Sequence, residues 1–211
     1  MLEFPGGVYA ITPETADTER LLQQVGAALA GGVAAVQYRD KSGDVARRHE
    51  QASELVALCR QFRVPLIVND DLRLADLTDA DGVHLGRDDG SLREARIILG
   101  KNKFVGASCY QSLELAHAAQ AAGADYIAFG SFFPSPTKPA APRASLDLLR
   151  EAAQHIHMPL VAIGGITLAN APQLLDAGAD CLAVLSALFD APDIRASAHD
   201  LNQLFEVESE Q

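Results

Sequence analysis

One short phrase recurs four times along this chain and constrains its fold more than any other feature: small residues and Gly, usually an Asp, then an apolar run. It reads Ala30-Gly31-Gly32-Val33-Ala34-Ala35-Val36, then Ala80-Asp81-Gly82-Val83-His84-Leu85. It returns as Ala122-Gly123-Ala124-Asp125-Tyr126-Ile127 and as Ala177-Gly178-Ala179-Asp180-Cys181-Leu182-Ala183-Val184. Glycine ends helices by taking a left-handed conformation, so the phrase predicts a helix end, a tight turn and a buried strand. Segments of helical period lie between the strands: Leu21, Leu22, Val25, Ala28 and Leu29 share one helical face, as do Ala52, Leu55, Val56 and Cys59.

Eight strands are predicted, at residues 8–12, 34–39, 66–70, 82–86, 104–108, 126–132, 160–165 and 181–188. Strict alternation of strands and helices implies a parallel sheet with right-handed crossovers. Eight such units in 211 residues predict an α/β chain folded as a single (β/α)8 TIM barrel domain over residues 1–211, with a frayed acidic tail from about 206 to 211. A doubly wound open sheet is the competing arrangement. It would carry a Gly-rich turn after its first strand, and Val8-Tyr9-Ala10-Ile11-Thr12 leads into none.

Composition narrows the partners. The chain is 48% apolar, enough for a large core, and its 28 acidic against 17 basic residues leave a net charge of −11. Such a surface repels nucleic acid and anionic lipid, so an anion site has to be a local basic cluster. Cys59, Cys109 and Cys181 are far apart and lack metal-ligand spacing, which reads as three core thiols. No signal peptide is visible and no apolar stretch is long enough to span a bilayer, so a cytoplasmic protein is expected. The sequence leaves room for a homo-oligomer.

Polar residues gather where strands end. The second strand runs into Gln37-Tyr38-Arg39-Asp40-Lys41, and alternation puts Gln37, Arg39 and Lys41 on one side. The third ends Asn69-Asp70-Asp71 and the fourth Gly86-Arg87-Asp88-Asp89. Asp and Asn there could merely cap helices; equally, two carboxylates on adjacent strand ends suit Mg²⁺. His84, inside an apolar strand, reads first as a hydrogen-bonded core residue. Ser108 ends the fifth strand with no evident Asp–His partner, so it reads as a hydrogen-bond donor and not a nucleophile. A proline-stiffened loop, Pro134-Ser135-Pro136-Thr137-Lys138-Pro139, follows the sixth strand, and Gly164-Gly165 and Leu185-Ser186 follow the seventh and eighth. Barrel enzymes often bind phosphate on those last two loops.

These phrases, in this order and spacing, resemble thiamine-phosphate synthase almost end to end. They are Tyr9-Ala10-Ile11-Thr12, Val36-Gln37-Tyr38-Arg39-Asp40-Lys41, Val68-Asn69-Asp70, Asp81-Gly82-Val83-His84-Leu85-Gly86 and Gly123-Ala124-Asp125-Tyr126. They continue as Phe133-Pro134-Ser135-Pro136-Thr137-Lys138, Ala162-Ile163-Gly164-Gly165-Ile166 and Val184-Leu185-Ser186-Ala187. The resemblance implies a transferase acting on two phosphorylated small molecules, an aminopyrimidine diphosphate and a thiazole phosphate. It implies that Gln37, Tyr38, Arg39, Asp40, Lys41, Asn69, Ser108 and Lys138 hold the diphosphate substrate. Lys138, Arg39 and Ser108 would serve catalysis, and Asp70 and Asp89 would ligate Mg²⁺. Ser135, Pro136, Thr137, Gly165, Leu185 and Ser186 would hold the thiazole phosphate. Ser135 stands where the family often has Thr, which keeps the hydroxyl. A tautomerase-like isomerase on the same barrel and a binding module without turnover are the alternatives. Retention of Arg39, Lys41, Asn69, Asp70, Asp89 and Lys138 favours the synthase.

Overall fold

The computed structural model describes residues 3–134 and 142–206. Eight parallel strands close into a barrel in sequence order, β8 pairing with β1. They are β1 (Gly7–Ile11), β2 (Ala35–Tyr38), β3 (Leu66–Asn69), β4 (Gly82–Leu85), β5 (Phe104–Tyr110), β6 (Tyr126–Gly130), β7 (Leu160–Ile163) and β8 (Cys181–Val184). The helices between and after them are α1 (Thr18–Ala30), α2 (Val45–Phe62), α3 (Leu72–Leu77), α4 (Leu92–Leu99), α5 (Leu113–Ala121), α6 (Leu146–His155), α7 (Pro172–Leu175), α8 (Ser186–Phe189) and α9 (Ile194–Glu206). Closure leaves no sheet edge, so every strand is paired on both sides.

Strand alternation sorts the core into two layers. Val36, Tyr38, Val68, Val83, Val105 and Ile127 point outward and pack with the buried faces of the helices, including Leu21 and Val25 of α1 and Ala52, Leu55 and Cys59 of α2. Phe4, Tyr9, Ile11, Ala35, Ile67, Phe104, Tyr126, Ala128, Val161, Cys181 and Ala183 fill the barrel interior. Phe4 stacks on Tyr126 with ring centroids 3.9 Å apart and meets Phe104 edge-on at 5.3 Å. The interior is therefore a packed core, and an open site can form only at a rim.

The recurring phrase has a structural meaning beyond its glycines. Asp81, Asp125 and Asp180 each precede an even-numbered strand and clamp the preceding odd-numbered one. Asp81 donates its backbone N–H to Leu66 O and accepts Leu66 N–H on its carboxylate at 2.9 Å. Asp125 does the same with Val105, at 2.7 Å, and Asp180 with Leu160, at 2.8 Å. Gly32, Gly123 and Gly178 carry the expected positive φ. Gly82 does not; Asp79 takes the left-handed position there, and Gly82 is needed because a Cβ would overlap Phe104 of β5.

The eighth predicted strand ran to residue 188, whereas β8 stops at Val184 and α8 begins at Ser186. Apart from Ser186 the run Val184-Leu185-Ser186-Ala187-Leu188 is apolar, and periodicity cannot separate buried strand from buried helix in so short a run. Of the predicted acidic tail, all but Glu206 lies outside the described residues.

Candidate active site

Interior-facing residues become polar toward the C-terminal ends of β2 to β5. Gln37 follows Ala35, Asn69 follows Ile67, His84 follows Gly82 and Ser108 follows Gly106, each two residues further along the same face. Gln37 and His84 are buried, while Asn69 and Ser108 are half-buried at the mouth.

Above them the strand ends converge. The Lys41 ammonium lies 2.8 Å from the Asp70 carboxylate, and the Asp89 carboxyl is near enough to Asp70 for each to perturb the other. Asp70 has φ 64°, a left-handed backbone that Asp tolerates better than most residues. Gly86 N–H donates to Asp89 Oδ2 at 2.9 Å, an approach that a side chain at position 86 would obstruct. Burial and the neighbouring Asp70 push the Asp89 carboxyl above the usual carboxylate range. Burial also acts to raise Asp70, but the hydrogen bond from Lys41, the neighbouring Asp89 and the Lys41 charge outweigh it and hold Asp70 low. Two carboxylates thus carry more negative charge than one lysine offsets, a donor set suited to a hard dication that also keeps water and phosphate oxygens. Among the described residues no cluster of three or more His, Cys, Asp or Glu that could hold a metal forms. The Lys41 side chain is 53% exposed, and an ion pair so open to water is weak; Lys41 can leave it for a phosphate at little cost.

Below the mouth a hydrogen-bonded chain crosses the barrel. Gln37 Nε2 donates to the Tyr9 hydroxyl at 2.9 Å, and the hydroxyls of Tyr9 and Tyr126 are 2.9 Å apart. Tyr126 meets His84 Nδ1 at 3.0 Å, and His84 Nε2 meets Ser108 Oγ at 2.8 Å. Burial lowers His84 to about 4, only partly opposed by Asp70, so the ring is neutral near pH 7. A histidine does reach Ser108, contrary to the sequence expectation. Its far nitrogen rests on a phenol and not on a carboxylate, so the trio is not the Ser–His–Asp arrangement of a nucleophile.

A family model described as thiamine monophosphate synthase matches residues 8–188. The chain belongs to that family. A thiamine-phosphate synthase of Thiobacillus denitrificans is 76% identical over 211 residues, covering 100% of both chains. One of Methylobacillus flagellatus is 53% identical over 199 residues, 94% of this chain and 95% of the relative. The solved structure titled thiamine phosphate pyrophosphorylase from Pyrococcus furiosus has a TM-score of 0.85 at 36% identity, covering 95% of this chain and 96% of that one. The chain is accordingly a thiamine-phosphate synthase, a transferase of thiamine biosynthesis.

Of the residues expected for such a synthase, Gln37, Asn69 and Ser108 lie at the C-terminal ends of β2, β3 and β5, and Lys41, Asp70 and Asp89 follow the ends of β2, β3 and β4. Arg39 lies one residue past β2, its backbone N–H held by Thr12 Oγ1 at 3.0 Å. Tyr38 and Asp40 do not join them. Alternation turns Tyr38 outward, where its hydroxyl donates to Gln51 of α2 at 2.9 Å. Asp40 accepts the Ser42 N–H at 2.6 Å and faces Arg47 of α2 at 3.4 Å, so it shapes the loop. On the opposite side, Gly165 has φ 64° and lies so close to Phe133 and Pro134 that a Cβ would overlap them. Leu185 and Ser186 sit at the start of α8. Ser135, Pro136, Thr137 and Lys138 lie outside the described residues.

Several supports escaped the sequence reading. Thr12 is fully buried under Arg39, and Glu14 accepts the Lys41 N–H at 3.1 Å. Asn170 holds the loop after β7 by donating to Gly165 O at 2.9 Å and accepting Thr167 N–H at 2.8 Å. Tyr9 and Tyr126 looked like apolar strand residues; a phenol in a buried strand, which needs a partner for its hydroxyl, was the signal available.

Proposed function

We propose that the mouth joins 4-amino-5-hydroxymethyl-2-methylpyrimidine diphosphate to a thiazole monophosphate, forming thiamine phosphate and pyrophosphate. The observation that carries this reading is the meeting of Lys41, Asp70 and Asp89, from three strand ends, directly above the polar interior residues of β2 to β5. The bond between the pyrimidine methylene carbon and the diphosphate oxygen breaks, and its electron pair leaves with the diphosphate. Arg39, Lys41 and Lys138 take up the charge on the departing oxygens. The aminopyrimidine ring spreads the positive charge left on the methylene carbon. The thiazole nitrogen then gives its lone pair to that carbon, forming the new C–N bond and a thiazolium.

No protein nucleophile is needed. Gln37, Asn69 and Ser108 orient the pyrimidine, and Gly165, Leu185, Ser186, Ser135, Pro136 and Thr137 hold the thiazole phosphate. Asp70 and Asp89 would hold Mg²⁺, which when bound adds positive charge against the diphosphate. A cytoplasmic setting accords with three cysteines kept as free thiols.

Pyrophosphate release, measured with both substrates and with or without a chelator, tests the reading. Asp70→Ala and Lys138→Ala are expected to lose about a hundredfold or more of turnover while keeping the fold. Near-normal release by either folded variant would remove that residue from the site, and chelator-insensitive release would remove the metal.

A further inference from the structure

The chain from Gln37 to Ser108 is continuous, and each hydroxyl or ring nitrogen along it has few partners to choose from. Gln37 Nε2 donates to the Tyr9 oxygen. The Tyr9 proton then has Tyr126 as its acceptor, because Gln37 Nε2 and Tyr126 are the hydrogen-bond partners of that hydroxyl. Tyr126, accepting from Tyr9, gives its own proton to His84 Nδ1. A neutral imidazole that accepts on Nδ1 carries its proton on Nε2, and Nε2 faces Ser108 Oγ. Ser108 therefore accepts from His84 and keeps its own proton free. Reversing any single link would leave two donors or two acceptors facing each other, and reversing everything beyond Tyr9 would leave the buried Tyr9 proton unpaired, so inversion without loss of a hydrogen bond takes the whole chain, together with the Gln37 amide.

Packing holds the phenol at the centre of this chain. Tyr126 is fully buried between the Phe4 ring at 3.9 Å and the His84 ring at 5.5 Å. Gly106 leaves the space for its ring, which a Cβ there would overlap.

We propose that Tyr9, Tyr126 and His84 form a one-directional hydrogen-bond relay running from Gln37 to Ser108, which holds the Ser108 hydroxyl as a donor toward an acceptor atom of the bound pyrimidine. These three are positioning residues, acting through Ser108, and the inference rests on the reading of Ser108 as a substrate contact. The relay makes the two ends interdependent: a ligand that turned the Gln37 amide over would also turn Ser108 from donor to acceptor. The site thus selects for a ring whose donors and acceptors match both ends together.

The direct test is nitrogen-15 NMR of the histidine side chains in the full chain without substrate, with His84→Gln identifying the His84 signals. The expected spectrum has the proton on Nε2 and an accepting Nδ1. Tyr126→Phe, which strips Nδ1 of its donor, is expected to mix the two tautomers and to lower kcat/KM for the pyrimidine diphosphate about tenfold or more. Tyr9→Phe leaves the Tyr126-to-His84 link standing and is expected to cost less. His84→Gln, whose amide nitrogen can replace Nε2, should retain more activity than His84→Asn, whose amide is too short to reach Ser108. A purely structural role would move thermal stability without this Gln–Asn difference or the tautomer change. A proton on Nδ1 in the unsubstituted chain overturns the relay. So does a folded Tyr126→Phe with unaltered tautomer and kinetics. Full turnover by a folded Ser108→Ala overturns instead the reading of Ser108, and is distinguishable because the tautomer is read without substrate.

Discussion

At the scale of single residues, the site works by placing polar groups on a frame that hides most of their neighbours. Gln37 and Tyr38 are adjacent in sequence, yet one faces the barrel interior and the other the helix layer. Gly106 shows how narrow the tolerance is. Gly106→Ala would drive a methyl into the Tyr126 ring, and over-packing of this kind costs about 1–3 kcal/mol. The expected result is a lower midpoint in urea, with activity falling further than stability explains because the Tyr126 hydroxyl is displaced. A variant with unchanged midpoint and kinetics would show that the interior yields more readily than its packing implies.

At the scale of elements, three of the four repeats of one sequence phrase do the same job. Each Asp joins the start of an odd-numbered strand to its even-numbered neighbour through both backbone and side chain. Asp125 is the most buried of the three, at 8% exposure, and its carboxylate also pairs with Arg96 of α4. Asp125→Ala removes the acceptor of the buried Val105 N–H, and a hydrogen bond to a charged group is worth about 1.5–3 kcal/mol. Chemical denaturation should show a loss of that order, along with faster hydrogen exchange at the start of β5. The loss should be larger than that from Asp147→Ala, whose exposed pair with Arg150 lies one helical turn apart. Equal losses from the two would undo this account of the clamp.

At the scale of the whole molecule, closure of the sheet ties distant parts into one cooperative unit. Cys59 in α2, Cys109 in β5 and Cys181 in β8 are all buried, and burial pushes the Cys59 and Cys109 thiols up to about 12 and Cys181 higher still. A thiol reagent at pH 8 should leave the native chain unmodified, since the reactive thiolate is both scarce and inaccessible. With rising denaturant all three should become reactive together, because no edge strand exists to peel away first. One thiol reacting in native buffer, or three separate phases, would contradict a single closed unit. No helix among the described residues is long and apolar enough to cross a membrane.

The order of strands and helices, the closed barrel and the buried faces of α1 and α2 were legible in the sequence, because 3.6- and 2-residue periodicities report local geometry directly. The candidate metal pair and the polar ends of β2, β3 and β5 were legible too, as charged and amide residues interrupting apolar strands. The roles of Tyr38 and Asp40 were not, since a motif quoted as five consecutive residues says nothing of which side each one faces. Nor was the purpose of the repeated Asp, nor the partnership of Tyr9, Tyr126, His84 and Ser108, residues from four different strands. Those depend on contacts across the barrel between residues 42 and 117 positions apart, as for His84 with Tyr126 and Tyr9 with Tyr126. Only closure of the sheet brings such residues within hydrogen-bonding distance.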